Sequence, residues 1–250
     1  MSFAPNAQIW RTDAETARWR GEALRPIDVP MTRPIAIDFV SDISCPWCVI
    51  GLKGLEQALD RIGDLKAEIR FQPFELNPQM PPEGQRLVDY AAQKYGSTPK
   101  QLNERRAMIK ERAATLGFTI ALPPEEGRVY NTFDAHRLLH WAGLEGCQRE
   151  LKLALFEAYF SQCLNPSDHE VLAEAAEKAG LDRAAAADVL ASGRYAEEVR
   201  ADERAWREKG INAVPAIVIN GRYLISGGQP PEAFEQAIRS ISAEMAETET

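Results

Sequence analysis

The sequence predicts an α/β fold made of two separated halves, β-α-β and β-β-α, with an all-helical domain inserted between them. Three observations predict it. The run IAIDFV at residues 35–40 is short and nearly continuously apolar, as a strand buried on both faces of a sheet must be. The β pattern is then lost from about residue 84 to 209 and returns in AVPAIVINGRYLISGG. Between those limits, glycines stand where helix C-caps belong. The domains read as an N-terminal arm over 1–33, a first half over 34–83, a helical insertion over 84–209, and a second half over 210–246.

Each element has a local reason. In the arm, Thr12 and Glu15 have capping-box spacing before a short helix that Pro26 and Pro30 end. Met31, directly before the first strand, is an alternative translation start, and Trp10 and Trp19 are read as surface-packing residues without a function. After the strand, Cys48, Leu52, Leu55, Leu59 and Ile62 follow helical spacing, which predicts a helix over 45–62. Cys45 opens that helix, Ser44 is its candidate N-cap, and Pro46 is tolerated in a first turn whose amides lack intrahelical partners. A second strand at about 67–74 completes a parallel pair. Helices are predicted at about 85–95, 99–116, 130–142, 147–163, 168–179, 182–192 and 194–209, with Gly180, Gly193 and Gly210 as C-caps and capping-box spacing at Ser167 and Glu170. Asn220-Gly221 between two apolar strands predicts a tight hairpin, because a primed turn needs positive φ at both central residues. A last helix follows over 231–245.

The whole chain sets limits. At 250 residues it can bury a core without disulfides or metal. A formal charge of −8 and a pI near 5.1 leave no basic stripe for nucleic acid or an anionic membrane. No stretch approaches the roughly 18 consecutive apolar residues of a membrane span, and the N-terminus lacks a signal peptide's apolar run. The expected location is cytoplasmic. In that reducing compartment a CxxC is redox-active or metal-binding rather than a structural staple.

The chemistry centres on Cys45 and Cys48 in DISCPWCVIG. The thiolate is the nucleophile of disulfide exchange, and an ordinary thiol, with a pKa of about 8.5, is only slightly ionised at neutral pH. Stabilising it by two pKa units takes about 2.7 kcal/mol. A helix N-terminus supplies about 0.3 to 1 kcal/mol, so amide hydrogen bonds or the partner thiol must supply the remainder. Cys45, at the helix start, is therefore the expected attacking thiol. Cys48, one turn in and on the apolar face, is the resolving one. Zinc needs four ligands. Cys147 and Cys163, 16 residues apart in one predicted helix, would be about 24 Å apart, too far to share an ion or to bond to each other. Both are expected as buried thiols. His136 and His140 share a helix face but have no evident third ligand, so no metal is expected. A pair of inert core thiols is the weaker alternative to a redox pair.

SDISCPWCVIG after a strand, FQPFELNPQMP, NTFDAHRL and INAVPAIVINGRYLISGGQP resemble the DsbA-type thiol oxidoreductases of the thioredoxin superfamily, specifically the FrnE-like dithiol-disulfide isomerases, over about residues 34–240. The resemblance implies a thioredoxin-like fold with an inserted all-helical domain. It also implies that Pro215 is cis and faces the dithiol, leaving the Val214 backbone to pair with an extended substrate. Pro46 and Trp47 then belong to the substrate surface, and His136, within NTFDAHRL, is either a helix-packing histidine, the favoured reading, or a residue lining the cleft opposite the dithiol. Superfamily members use a buried carboxylate as proton relay, and Asp38 is the candidate, at an offset one residue longer than in thioredoxin, against the alternative of a solvated strand-end carboxylate. Asp42 is more simply a turn residue. Trp47 stands where DsbA has histidine, and without that cation the couple should be a weaker oxidant. The expected function is a cytoplasmic dithiol-disulfide oxidoreductase or isomerase acting on a disulfide-containing protein or small molecule. No bound cofactor is expected, with glutathione or another thiol as redox partner. Two other classes stay open. One is a glutathione-dependent isomerase or transferase, resembling hydroxychromene-carboxylate isomerases and kappa-class transferases, which typically carry serine at the first motif position. The other is a non-catalytic peptide- or metal-binding protein.

Overall fold

The computed structural model describes residues 9–11, 34–121 and 127–248. Alternation along β2 (Ile35–Ser41) divides its side chains between two faces. Ile35, Ile37 and Phe39 enter the main core, whereas Val40 enters a smaller one on the opposite face. β2 pairs in parallel with β3 (Ala67–Pro73), setting Ile37 opposite Ile69 and Phe39 opposite Phe71, and antiparallel with β6 (Ala216–Ile219). β6 returns as β7 (Tyr223–Ser226) through Asn220 and Gly221, whose φ values of 51° and 67° are the positive pair that a tight primed turn requires. The Asn220 side chain accepts a hydrogen bond from the Ala36 amide at 2.8 Å, which ties the hairpin to β2.

Part of the expected arm belongs to the sheet. β1 (Ile9–Arg11) pairs antiparallel with β7, and the five strands run β1-β7-β6-β2-β3. The helix expected after Thr12, with Glu15, Pro26 and Pro30, lies outside the described residues. So do Trp19, Met31 and the side chain of Trp10.

α1 (Pro46–Ile62) and α9 (Pro231–Thr248) cover one face of the sheet, and their apolar residues join Ile37, Phe39 and Phe71 in the main core. The insertion supplies α2 (Leu87–Tyr95), α3 (Pro99–Thr115), α4 (Phe133–Leu144), α5 (Gln148–Phe156), α6 (His169–Lys178), α7 (Arg183–Ser192) and α8 (Ala196–Glu208). Trp206 of α8 packs on Val40 and Val218, closing the other face of the sheet. The helices also share a core of their own, into which Ile43 inserts from the loop before α1. Ile43 is fully buried, a contribution of about 1.5 to 3 kcal/mol. The loop carrying the dithiol is thereby anchored in the insertion as well as in the sheet.

Four local expectations are corrected. A two-stranded ladder, β4 (Gln85–Arg86) with β5 (Arg128–Val129), lies in the stretch read as purely helical; strands of two residues are too short to show a period. The helix expected over 147–163 widens into a π-helical turn at Glu157–Ser161 and ends before Cys163, whose φ is 61°. Cys147, at the N-cap position of α5, is half-buried and Cys163 is exposed, where both were expected buried. The α6 cap is Asp168, which accepts from the Glu170 amide, while the Ser167 hydroxyl donates to the Asn131 carbonyl at 2.6 Å. Among the described residues, no helix is long and apolar enough to cross a membrane.

Candidate active site

α1 begins at the dithiol. Cys45 is its N-cap residue, with extended backbone angles (φ −94°, ψ 110°), and Pro46 occupies the first turn. Ser44, the expected cap, is engaged otherwise: its amide and hydroxyl donate to the Asp42 carboxylate at 3.1 and 3.0 Å, and Asp42 also accepts from the Leu76 amide at 2.7 Å. Asp42 thus pins the turn before the motif to the segment after β3.

The Cys45 thiol donates to the Val214 carbonyl at 3.7 Å, and the Val214–Pro215 peptide bond is cis. The Cys48 amide donates to the Cys45 carbonyl at 3.0 Å. Cys45 is 4 % exposed, and Cys48 is fully buried beneath it. Burial pushes the Cys48 thiol pKa well up and the Cys45 sulfur adds to that, while the charge of Lys152 opposes both. Cys45, Pro46 and Trp47 border a cavity of about 350 Å³, walled on the far side by the insertion. Beyond Trp47 a larger groove of about 700 Å³ runs along Val214 and Pro215 to Gly228. The structure therefore brings Cys45, Cys48, Pro46, Trp47, Val214 and Pro215 to one place.

Glycines permit this approach. A Cβ on Gly51 would lie 2.9 Å from Pro215 Cγ, and one on Gly228 would lie 2.8 Å from the Trp47 carbonyl oxygen. Neither the proline ring nor the backbone can rotate away. Gly51→Ala gains about 1 kcal/mol of helix propensity. It incurs about 1 to 3 kcal/mol of overpacking against Pro215. We expect a net loss of stability in thermal denaturation together with slower exchange chemistry. Unchanged melting and rate would refute the tight contact.

Two expected site residues lie elsewhere. Asp38 is half-buried and accepts from the Gln72 side chain at 2.7 Å. Alternation places it on the face opposite Ile37 and Phe39, hence opposite α1 and Cys48. His136 is 2 % exposed and faces Asp42, its Nε2 3.7 Å from Oδ1, rather than the cavity at Cys45. Burial would raise the Asp42 carboxyl, but the His136 imidazole, the Leu76 amide and the Thr132 side chain hold it below the ordinary range.

A charged group that the sequence reading passed over is buried close enough to Cys48 for its charge to act on that thiol. Lys152 of α5 is fully buried and has no hydrogen-bond partner among the described residues. Its Nζ lies 4.8 Å from the Phe156 ring centroid and 5.9 Å from that of Phe71. Burial pulls its pKa down to about 8, against the opposing pull of Cys48, Asp42 and Cys45. Its spacing with Phe156 and Tyr159, four and then three residues, was the available signal, because it sets a lysine on an apolar helix stripe. Lys152 and His136 also line a cavity of about 560 Å³ behind β3. Among the described residues, no group of three or more histidine, cysteine or acidic side chains could hold a metal ion.

A CxxC at a helix start, facing a cis-proline on a sheet with an inserted helical domain, defines a thioredoxin-fold protein of the thiol oxidoreductase class. Residues 36–239 match the DSBA-like thioredoxin domain, and the chain belongs to that family. It is 30% identical over 205 residues to YwbO of Bacillus subtilis, covering 82% of this chain and 96% of that protein. The probable DsbA oxidoreductase SCO1869 of Streptomyces coelicolor shares 34% identity, with a TM-score of 0.74 and coverage of 82% and 89%. A 2-hydroxychromene-2-carboxylate isomerase, at 19% identity and a TM-score of 0.64 over 85% and 98% of the two chains, shares the fold alone.

Proposed function

We propose that this protein is a cytoplasmic dithiol-disulfide oxidoreductase or isomerase. One observation carries the reading: Cys45 stands at a helix N-terminus and lines a cavity, while Cys48, one turn in, is fully buried against its sulfur and lines none of the cavities described. The Cys45 thiolate attacks one sulfur of a substrate disulfide, forming a mixed disulfide and releasing the other sulfur as a thiolate. Lys152 in its neutral form takes the Cys48 proton, and the Cys48 thiolate then attacks Cys45. The second substrate thiolate leaves and a Cys45–Cys48 disulfide remains. A dithiol reductant or two glutathione molecules return it to the reduced state, which balances the two electrons given to the substrate. In isomerisation, another thiol of the substrate resolves the mixed disulfide instead. Val214 and Pro215 hold the substrate chain beside the sulfur. A glutathione-dependent isomerase or transferase on the same fold has weaker support, since a resolving thiol has no use there.

The test is a redox titration against glutathione with peptide mapping. We expect one two-electron transition that maps to Cys45–Cys48. Its midpoint should lie at or above the cytosolic poise of about −220 to −320 mV, so that the dithiol form persists. A pair that stays reduced in fully oxidised glutathione would overturn the reading.

A further inference from the structure

The two openings beside the dithiol differ in what they can hold. The 350 Å³ cavity opens directly on Cys45, whereas the 700 Å³ groove borders Trp47 and Pro215 without reaching that sulfur. About 350 Å³ lies at the small end of the range for small-molecule sites. Its walls are aromatic, with Tyr90 and Tyr95 from α2 facing Tyr159 and Phe160 at the π-helical turn. Burial pushes the phenols of Tyr95, up to about 12, and of Tyr90 and Tyr159 upward. They are therefore neutral hydrogen-bond donors at neutral pH and add no negative charge.

The charge around the cavity reverses that of the molecule. The chain carries a net −8, yet Arg105, Arg106 and Lys110 of α3 line this cavity and no carboxylate does so among the described residues. Arg105 lies over the Tyr95 ring at 5.8 Å, and Arg106 is half-buried, where burial disfavours its charge. Lys110 is half-buried and makes no ion pair among the described residues. Three cations on one wall of an aromatic cavity raise the local concentration of anions and repel cations.

Resting on the reading of Cys45 as the attacking thiol, we infer that this cavity makes small disulfides with an aromatic or other apolar body and an anionic group the preferred substrates. Cys45 attacks one sulfur of such a molecule, keeps half of it as a mixed disulfide, and expels the other half as a thiolate.

The test uses the full chain with Cys147→Ser and Cys163→Ser, so that the half-buried and exposed thiols do not report. Stopped-flow rate constants of the reduced protein are measured with 5,5′-dithiobis(2-nitrobenzoate), 4,4′-dithiodipyridine, cystamine and insulin. Each is divided by the rate constant of dithiothreitol with the same disulfide, to remove intrinsic reactivity. We expect the corrected rate for the dianionic aromatic disulfide to exceed those for the neutral and dicationic ones at least tenfold. That ratio should fall as salt rises. It should fall at least fivefold in an Arg105→Gln/Lys110→Gln variant, two changes chosen because neither side chain is deeply buried. Corrected rates that differ less than tenfold between the anionic and the other small disulfides, a ratio unmoved in the folded variant, or a larger corrected rate for insulin would overturn the inference. Loss of reaction with every disulfide, or full reaction in Cys45→Ser, would instead overturn the assignment of the attacking thiol.

Discussion

Cys45→Ser should lower the rate of exchange with any disulfide by about a thousandfold or more, as removal of a covalent nucleophile does. A serine hydroxyl is not ionised near neutral pH and forms no bond to sulfur that another thiol could exchange. Cys48 cannot substitute for it, because it is fully buried beneath Cys45 and its thiol pKa is raised by that burial. Cys48→Ser should behave differently. The first attack persists, and the protein accumulates a covalent adduct with half of the substrate. Intact-mass analysis of both variants, each carrying Cys147→Ser and Cys163→Ser, separates the outcomes. No adduct is expected with Cys45→Ser and one stoichiometric adduct with Cys48→Ser. Full activity in Cys45→Ser, or turnover without adduct in Cys48→Ser, would exclude the division of labour between the thiols.

What could be read from the sequence follows the range of the physics involved. Cys45 and Cys48 were legible because strand, turn and amphipathic helix are set within a few residues. The Asn220–Gly221 hairpin was legible for the same reason, since two positive φ values are a local demand. Asp38 was misplaced by a single position. In a strand, one residue reverses the face, and Ile37 and Phe39 already pointed toward α1. The end of the 147–163 segment, with Cys163, was not legible because an extra residue in its π-helical turn shifts the phase of every later side chain. The cavity at Cys45 was not legible at all. Its walls come from α2, α3 and the π-helical turn, which only the tertiary fold brings together.

Lys152→Met should make the protein more stable and its chemistry slower. A buried ammonium without a hydrogen-bond partner among the described residues is costly, and the two nearby aromatic rings return about 0.5 to 2 kcal/mol of cation–π attraction. Methionine fills similar volume without charge, so we expect a gain of about 1 to 3 kcal/mol at pH 7. The direction of the pH dependence follows from the lowered pKa. Below pH 8 the lysine is charged in both folded and unfolded chains, and the folded state bears the full cost. From about 8 toward its ordinary value of 10.5 the folded lysine is neutral while the unfolded one is still charged, so that cost is progressively relieved. The advantage of the variant should therefore shrink as pH rises through that window, in paired denaturation curves. Its chemical deficit lies in resolution. Without Lys152, Cys48 loses both the charge that favours its thiolate and its proton acceptor. With 5,5′-dithiobis(2-nitrobenzoate), the first released thiolate reports attack by Cys45 and the second reports resolution by Cys48. The second phase should slow at least about tenfold, the equivalent of one pKa unit, and its pH profile should move to higher pH. The first phase should change far less. A variant that is less stable at pH 7, or that resolves at the original rate with the original pH profile, would make Lys152 a packing residue.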